Sequence, residues 1–574
     1  MNPEARVPVE RSLIDTRVLR ICAWSVVLAL ATGFVAQALI GIIALVTNIS
    51  FYSRWSIQFV SPAYNHRGWM VLFIPAIGGV IVGIMARYGS KAIRGHGIPE
   101  AMEQVLLNES RIPARVTILK PLSAAISIGT GGPFGAEGPI IATGGALGSL
   151  VGQIFTVTAT ERKTLLAAGA AAGMAATFGS PVSAVLLAIE LLLFEFRARS
   201  IIPVALASVT ATAVRMLYVG TDPIFAMPLL ARPSGEAYAA YAMVGAIVGW
   251  LAVYVTRAVY WIEDLFEHLP VHWMWWPAIG GLAVGAIGII APRTLGVGYD
   301  NIEGMVAGKI VGQAVIWLCI WKFLSWAISL GSGTSGGTLA PLFTIGGGAG
   351  AALGSLLAVS FPRFGIDPRI CALVGMAAMF AGASRALLAS VVFAFETTLQ
   401  PLGMLPLLGG CTAGYLVSAL LMRNTIMTEK LVRRGVRVPA EYEADYLDRF
   451  LVSDACSRHV ITLREDQTVD EVHDITATHQ GFPIVDVNGK LIGVLTRRDF
   501  VDRDPDTPLR ALVKRPPAVV FLDMSLRDAA DHMVREDVGR LPVVDRTDPA
   551  RLVGIITRSD LLKIHARRLE EEHG

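Results

Sequence analysis

From Phe323 to Pro362 the chain carries no charged residue, and from Ile21 to Asn48 it carries none either. Between Lys120 and Glu161 the only charge is Glu137. An apolar run of roughly 18 or more residues without charge is long enough to cross a bilayer. The 574-residue chain is 53% hydrophobic and only 17% charged, more apolar than a soluble core requires. An α-helical integral membrane protein follows, with more than one domain at this length. Ile21–Asn48 exceeds the apolar region of a cleaved signal and no small-residue cleavage pattern follows it, so it reads as a retained first span. Basic residues beside the spans (Arg17, Arg20, Lys91, Arg94, Arg111, Arg115) put both termini in the cytoplasm. The net charge of +3 gives no reason to expect a nucleic-acid partner. Four of the five cysteines lie in apolar segments and none forms a CxxC pair, which argues against a disulfide frame or a metal site.

The apolar half repeats itself. GTGGPFGAEGPIIATGGALGSLVG at 129–152 aligns with GSGTSGGTLAPLFTIGGGAGAALG at 331–354. At a constant offset of 202, Gly129, Gly131, Gly135, Pro139, Gly144, Gly145, Gly148 and Gly152 each meet an identical residue. GMAATF at 173–178 and GMAAMF at 375–380 keep the same register. Duplicated halves are the mark of transporter folds whose ion site lies at the midplane, where interrupted helices aim their ends at the ion. Glycines free the backbone, and Pro139 and Pro341 suit a first helical turn, where no amide is needed. Helix N-termini offer unpaired N–H groups and partial positive charge, so two of them facing one point imply an anion. The competing reading is that such glycines merely let helices approach closely. GGGAGAALG at 346–354 also imitates a dinucleotide loop, but no strand precedes it.

Glu137 stands alone in this uncharged stretch. A carboxylate near the bilayer centre is functional by default. At a helix N-terminus it can fill an anion site itself and leave when protonated or displaced, which makes it a gate.

The charged tail repeats as well. Residues 459–500 and 517–561 each run through an amphipathic helical stretch, a Pro-hydrophobic-Val-Asp strand, a turn and a strand ending in Thr-Arg-x-Asp. The alternation and turn residues suit a small α/β unit.

These motifs carry a resemblance. GAEGP at 135–139 resembles the GxEGP motif of the CLC chloride channel and transporter family, whose glutamate is the gate. GHGIPE at 95–100 resembles GxGxP, GTLAP at 337–341 resembles GxxxP, and NTIMTEKL at 424–431 resembles the segment closing that family's membrane domain. The tail resembles a tandem CBS pair. The resemblance implies a membrane domain of two inverted-topology repeats with discontinuous helices, followed by a cytoplasmic α/β CBS pair. It also implies a homodimer in the cell (inner or plasma) membrane. Expected boundaries are a cytoplasmic N-terminus over 1–20, the membrane domain over 21–435, a linker over 436–453, CBS domains over 454–512 and 513–568, and a tail over 569–574.

By the same resemblance, the amides of Thr338 and Leu339 hold a central anion, and those of Ala136, Glu137 and Gly138 serve an outer site. His96 and Gly97 stand in the first motif, His96 where many members carry an anion-coordinating serine. It either donates to the anion or is a helix-capping or loop histidine at the cytoplasmic mouth. Met427 replaces an inner tyrosine and cannot donate a hydrogen bond. Glu190 and Leu191 match a pair of inner positions of which the second handles protons in coupled members, and leucine relays none. Glu190 is either structural or a substitute proton site, and Glu396 in the second half is read as structural. Thr496, Asp499, Thr557 and Asp560 match CBS positions that contact ribose and phosphate of an adenine nucleotide; an empty, structural pair is the alternative.

The expectation is a voltage- or pH-gated chloride channel regulated by its CBS pair, with chloride/proton antiport as the alternative. No cofactor is required and no enzyme activity is expected. A CBS-regulated cation channel would need acidic clusters along the spans. A membrane protease would need an HExxH zinc motif, and neither feature is present in the sequence.

Overall fold

The computed structural model describes residues 5–6, 14–228, 230–436, 438–439, 447, 450–478 and 480–573. It divides into two compact units, residues 13–441 and residues 1–12 together with 442–574. The linker expected over 436–453 lies largely outside the described residues.

The larger unit is helical, and eight of its described helices are long and apolar enough to cross a membrane. Its first half runs through α1 (Thr16–Tyr52), α2 (Ile74–Ile84), α3 (Ile98–Leu107), α4 (Val116–Gly129), α5 (Glu137–Ile154), α6 (Ala159–Phe178), α7 (Pro181–Ala188) and α8 (Ala198–Val219). The second half repeats the order with α9 (Gly235–Glu267), α10 (Trp276–Ile290), α11 (Tyr299–Val306), α12 (Gln313–Gly331), α13 (Leu339–Ser360), α14 (Pro368–Ser384), α15 (Leu387–Thr398) and α16 (Met404–Leu421). A short α17 (Glu429–Arg433) closes the unit. The first span begins earlier than its uncharged run. Asp15 accepts from Val18 N at 2.9 Å and caps α1, so Arg17 and Arg20 lie in its first turns instead of in a preceding tail.

The halves pack alike, α5 on α6 as α13 on α14, and α1 against α8 as α9 against α16. The repeated glycines explain this. A methyl group on Gly144 or Gly148 would lie 2.1 Å from Gly169 O or 2.0 Å from Leu165 O on α6. At Gly346 and Gly350 it would lie 2.4 Å from Gly375 O and 2.1 Å from Cys371 O on α14. This end of each repeated block serves close helix approach, as small residues do in membranes.

Reciprocal contacts relate the halves by a pseudo-two-fold axis. Gly135 N donates to Gly337 O at 3.2 Å, and Gly337 N returns the bond to Gly135 O at 2.9 Å. Away from the axis, Glu190 accepts from Leu388 N and Ala389 N, both at 3.0 Å, at the start of α15. Glu396 accepts from Val182 N and Ser183 N at 3.0 and 2.9 Å at the start of α7. Each carboxylate satisfies amides that the helix itself leaves unpaired.

The smaller unit holds two three-stranded sheets of one design. β1 (Leu463–Arg464) runs parallel to β2 (Gly481–Val485), which pairs antiparallel with β3 (Leu491–Thr496). β4 (Val520–Phe521), β5 (Arg540–Val544) and β6 (Leu552–Thr557) repeat the pattern. The N-terminal segment joins this unit: Arg6 N donates to Pro517 O at 2.9 Å and Arg6 O accepts from Val519 N at 3.0 Å. Its guanidinium reaches Glu536 at 2.9 Å.

Candidate anion site

Two loops and two helix N-termini meet at the pseudo-two-fold axis. α5 starts at Glu137 with Ala136 as its cap, and α13 starts at Leu339 with Thr338 as its cap. Neither cap residue donates or accepts through its side chain at the helix end, so no cap side chain occupies the first-turn amides. Pro139 and Pro341 follow within the same turns and withdraw an N–H that would have had no partner. Ala136, Glu137, Gly138, Thr338 and Leu339 are all buried.

The Glu137 side chain is fully buried and lies across this axis. Its Oε1 accepts from the Tyr299 hydroxyl at 2.9 Å, and Oε2 has no hydrogen-bond partner among the described residues. A methyl group on Gly135 would fall 1.6 Å from Oε2, and one on Gly337 would fall 2.9 Å from it. The motif glycines at this end are therefore the bare walls of the carboxylate's seat. A negative group is held where two helix N-termini converge, which is the electrostatic setting an anion needs.

Each loop at the axis is clasped by a buried lysine. Lys120 Nζ donates to Ile93 O and Gly95 O, both at 2.9 Å. Lys322 Nζ donates to Thr294 O at 3.0 Å and Gly296 O at 2.8 Å. The carbonyls offset the cost of burying each ammonium. Lys120 and Lys322 are separated by the same 202 positions as the motifs, a signal that the sequence carried. The clasped loops turn through Gly97 at φ +96° and Gly298 at φ +77°, values that favour glycine, before α3 and α11 begin.

His96 lies on the first of these loops, 5% exposed, with Nδ1 lacking a hydrogen-bond partner among the described residues. It borders a cavity of about 450 Å³ that Arg94, Glu100, Tyr260, Glu263 and Lys430 also line. Glu100 Oε2 accepts from Gly97 N at 2.7 Å and its Oε1 accepts from Lys430 Nζ at 3.0 Å. His96 is therefore a cavity residue and not the cap of α3, the role that Glu100 takes. Met427 is fully buried, and the phenol at this mouth comes instead from α9: Tyr260 donates to Ile426 O at 2.8 Å. Leu191 is buried in the turn that follows α7, and both oxygens of Glu190 are committed to α15, which favours the structural reading of that glutamate. Glu396 takes the same role for α7.

In the smaller unit a cavity of about 350 Å³ is lined by Thr496, Arg497, Arg498, Arg515, Glu536 and Arg540, among others. Of the four CBS positions expected to bind ligand, only Thr496 lines it. Asp499 instead accepts from Thr496 N and Oγ1, both at 2.7 Å, and Asp560 accepts from Thr557 N at 2.9 Å and Oγ1 at 2.7 Å. The Thr-x-x-Asp repeat is a helix cap in both copies, because a carboxylate three residues on reaches back to the cap amide. Of the cavity's arginines, Arg497 is the arginine of the repeated Thr-Arg-x-Asp motif, whereas Arg515 and Arg540 lie outside it.

The fold and the axis site define a multi-pass membrane transporter built from two repeats around converging helix N-termini. Residues 78–419 match the family described as voltage gated chloride channel, and residues 452–506 and 509–567 match CBS domains. The chain belongs to that chloride channel family and is an anion transport protein. It is 30% identical over 388 residues to the H(+)/Cl(-) exchange transporter ClcA of Salmonella arizonae, covering 66% of this chain and 81% of that one. To chloride channel protein CLC-f of Arabidopsis thaliana it is 31% identical over 366 residues, 59% of this chain and 46% of the other. Among solved structures, a slow cyanobacterial Cl-/H+ antiporter aligns with TM-score 0.66 and 22% identity over 74% of this chain and 99% of that one. A eukaryotic CLC transporter aligns with TM-score 0.61 and 22% identity over 95% and 98%.

Proposed function

We propose that the chain exchanges chloride for protons, with Glu137 as the gate on which both ions act. The observation that carries this reading is the Glu137 carboxylate seated between the N-termini of α5 and α13. Chloride enters only by displacing it, and protonation removes the charge that competes with chloride for the same amides. One group thus links the two ions. The relatives named as exchangers support coupling at least as well as the passive conduction expected from the motifs alone. On the cytoplasmic side, His96 and the Glu100–Glu263 cavity offer titratable groups in place of Leu191.

Passive conduction is the second reading. It is favoured by the apolar Leu191 and by the commitment of Glu190 to α15. Purified protein in liposomes decides between them. A chloride gradient should drive protons uphill, and Glu137→Gln should abolish that movement. Chloride flux at its Nernst potential with no linked proton would sink the exchange reading.

The remaining features complete the proposal. The arginine-lined cavity of the CBS pair takes the phosphates of an adenine nucleotide, the planar guanidinium being suited to phosphate oxygens. Calorimetry with ATP should give binding that Arg540→Ala loses; no heat with the wild type would remove this assignment. The chain works as a homodimer in the cell membrane with both termini cytoplasmic. Light scattering in detergent and protease access to sealed vesicles test these two points.

A further inference from the structure

We propose that Tyr299 is a positioning residue for the gate: its hydroxyl holds the Glu137 carboxylate in the anion site and thereby sets how readily chloride displaces it. The proposal rests on the reading of Glu137 as the gate.

The bond from Tyr299 to Glu137 Oε1 is 2.9 Å, and Oε2 has no hydrogen-bond partner among the described residues. The one side-chain hydrogen bond described for this carboxylate is therefore the tyrosine's. Lys322, the nearby cation, spends its ammonium on the carbonyls of Thr294, Gly296 and, at 3.5 Å, Val297. Those carbonyls belong to the loop that delivers Tyr299. The ring is fixed in turn by edge contacts with Phe178 and Phe225, at centroid distances of 5.8 and 6.0 Å. The hydroxyl is thus presented by a braced loop and a packed ring, not by a free side chain.

The internal repeat sharpens the inference. The carbonyls that Lys120 grips, Ile93 and Gly95, stand 201 positions before those that Lys322 grips, Thr294 and Gly296. In that register Gly97 corresponds to Gly298, and Ile98 to Tyr299. The two halves keep the loop, the clasp and the left-handed glycine, then differ at the first helical residue. The half that carries a phenol there directs it to Glu137. The equivalent Ile98 can donate nothing. A packing role alone does not call for the hydroxyl, because Ile98 opens the equivalent helix without one.

The chemistry gives the hold a direction. A phenol donates one hydrogen bond, and donates it more strongly to a carboxylate than to a neutral acid. The tether is tightest while Glu137 is ionised and in the site, and it slackens when the gate is protonated. Tyr299 therefore weights the competition between carboxylate and chloride toward the carboxylate.

Chloride titration of the detergent-purified full chain by calorimetry tests this. Tyr299→Phe keeps the ring and removes the donor; it should tighten chloride binding about tenfold. In a Glu137→Ala background, where there is no carboxylate to hold, the same change should alter affinity by less than about twofold. Equal tightening in both backgrounds would mean that the ring merely shapes the site, and would overturn the proposal. No tightening in the wild-type background, with Glu137→Ala itself binding chloride more tightly, would leave the gate standing and remove the tether. If Glu137→Ala binds chloride no more tightly than wild type, the gate reading falls and this proposal with it. A ring-fluorinated tyrosine at 299 keeps the packing and strengthens the donor, so it should weaken chloride binding. It also keeps the test available should the phenylalanine variant fold poorly.

Discussion

Replacing Gly135 with alanine should open the gate without touching the gating residue. A methyl group built on Gly135 lies 1.6 Å from Glu137 Oε2, 2.3 Å from Cδ and 2.5 Å from Oε1. Non-bonded heavy atoms rest at about 3.5 Å, so the overlap approaches about 2 Å and small adjustments cannot absorb it. All three nearest atoms belong to one carboxyl group, and no backbone atom is among them. The relief available is rotation of the Glu137 side chain out of its seat. That rotation forfeits the bond from Tyr299, and a hydrogen bond to a charged group contributes about 1.5–3 kcal/mol. With the competing carboxylate weakened by that amount, chloride affinity should rise about tenfold to a hundredfold. Proteoliposome flux should become less dependent on pH and lose its proton coupling, as with Glu137→Ala. Gly337→Ala is the contrast. Its methyl group would meet Gly135 O at 2.6 Å, Gly138 N at 2.9 Å and Glu137 Oε2 at 2.9 Å, so the backbone pair at the axis would have to part as well as the carboxylate move. That variant should melt at lower temperature than Gly135→Ala. A Gly135→Ala variant that folds normally yet keeps wild-type chloride affinity and wild-type coupling would refute the seating of Glu137 against Gly135.

Two further outcomes follow from groups away from the axis. Glu190→Gln leaves only one acceptor oxygen for the two amides of Leu388 and Ala389; it should lower thermal stability by about 1–2 kcal/mol and leave the proton-to-chloride ratio unchanged, whereas a lost ratio would make Glu190 a proton carrier. In the smaller unit, burial pushes the His532 imidazole below its ordinary pKa, opposed by the Arg6 carbonyl that its ring meets at 3.2 Å. The unfolded chain then binds more protons there than the folded one, so this contribution is full above an unfolded value of about 6.5 and declines as pH falls through that value toward the folded pKa. Melting of the full chain between pH 7 and 5.5 should show a CBS transition that drops with acid, and His532→Gln should flatten it; an unchanged slope would exclude His532 as the cause.

The membrane class, the duplication and the singular position of Glu137 were legible in the chain because each rests on a local or periodic property. Charge-free runs report the solvent around a segment, and a fixed offset of 202 reports a repeat without any knowledge of its packing. Glu137 stood out because a lone carboxylate in an uncharged stretch has few structural explanations. The division of labour inside the glycine motif could not be read in this way. Gly135 and Gly144 are the same residue in the same motif, yet one borders a carboxylate and the other borders the backbone of α6.

Pairings across hundreds of residues needed the tertiary structure. Tyr299 reaches Glu137 across 162 positions, and Glu190 caps α15 across 198. Tyr260 reaches the Ile426 carbonyl, next to Met427, across 166 positions because α9 carries its ring there. Asp499 and Asp560 match ligand positions of the CBS resemblance, and three-residue geometry also lets each cap its own helix. Sequence by itself determined the solvent, the repeat and the isolation of Glu137, since those follow from composition and period. Which donor holds that group, and which carboxylates are spent on helix ends, was decided only when the two halves folded onto a common axis.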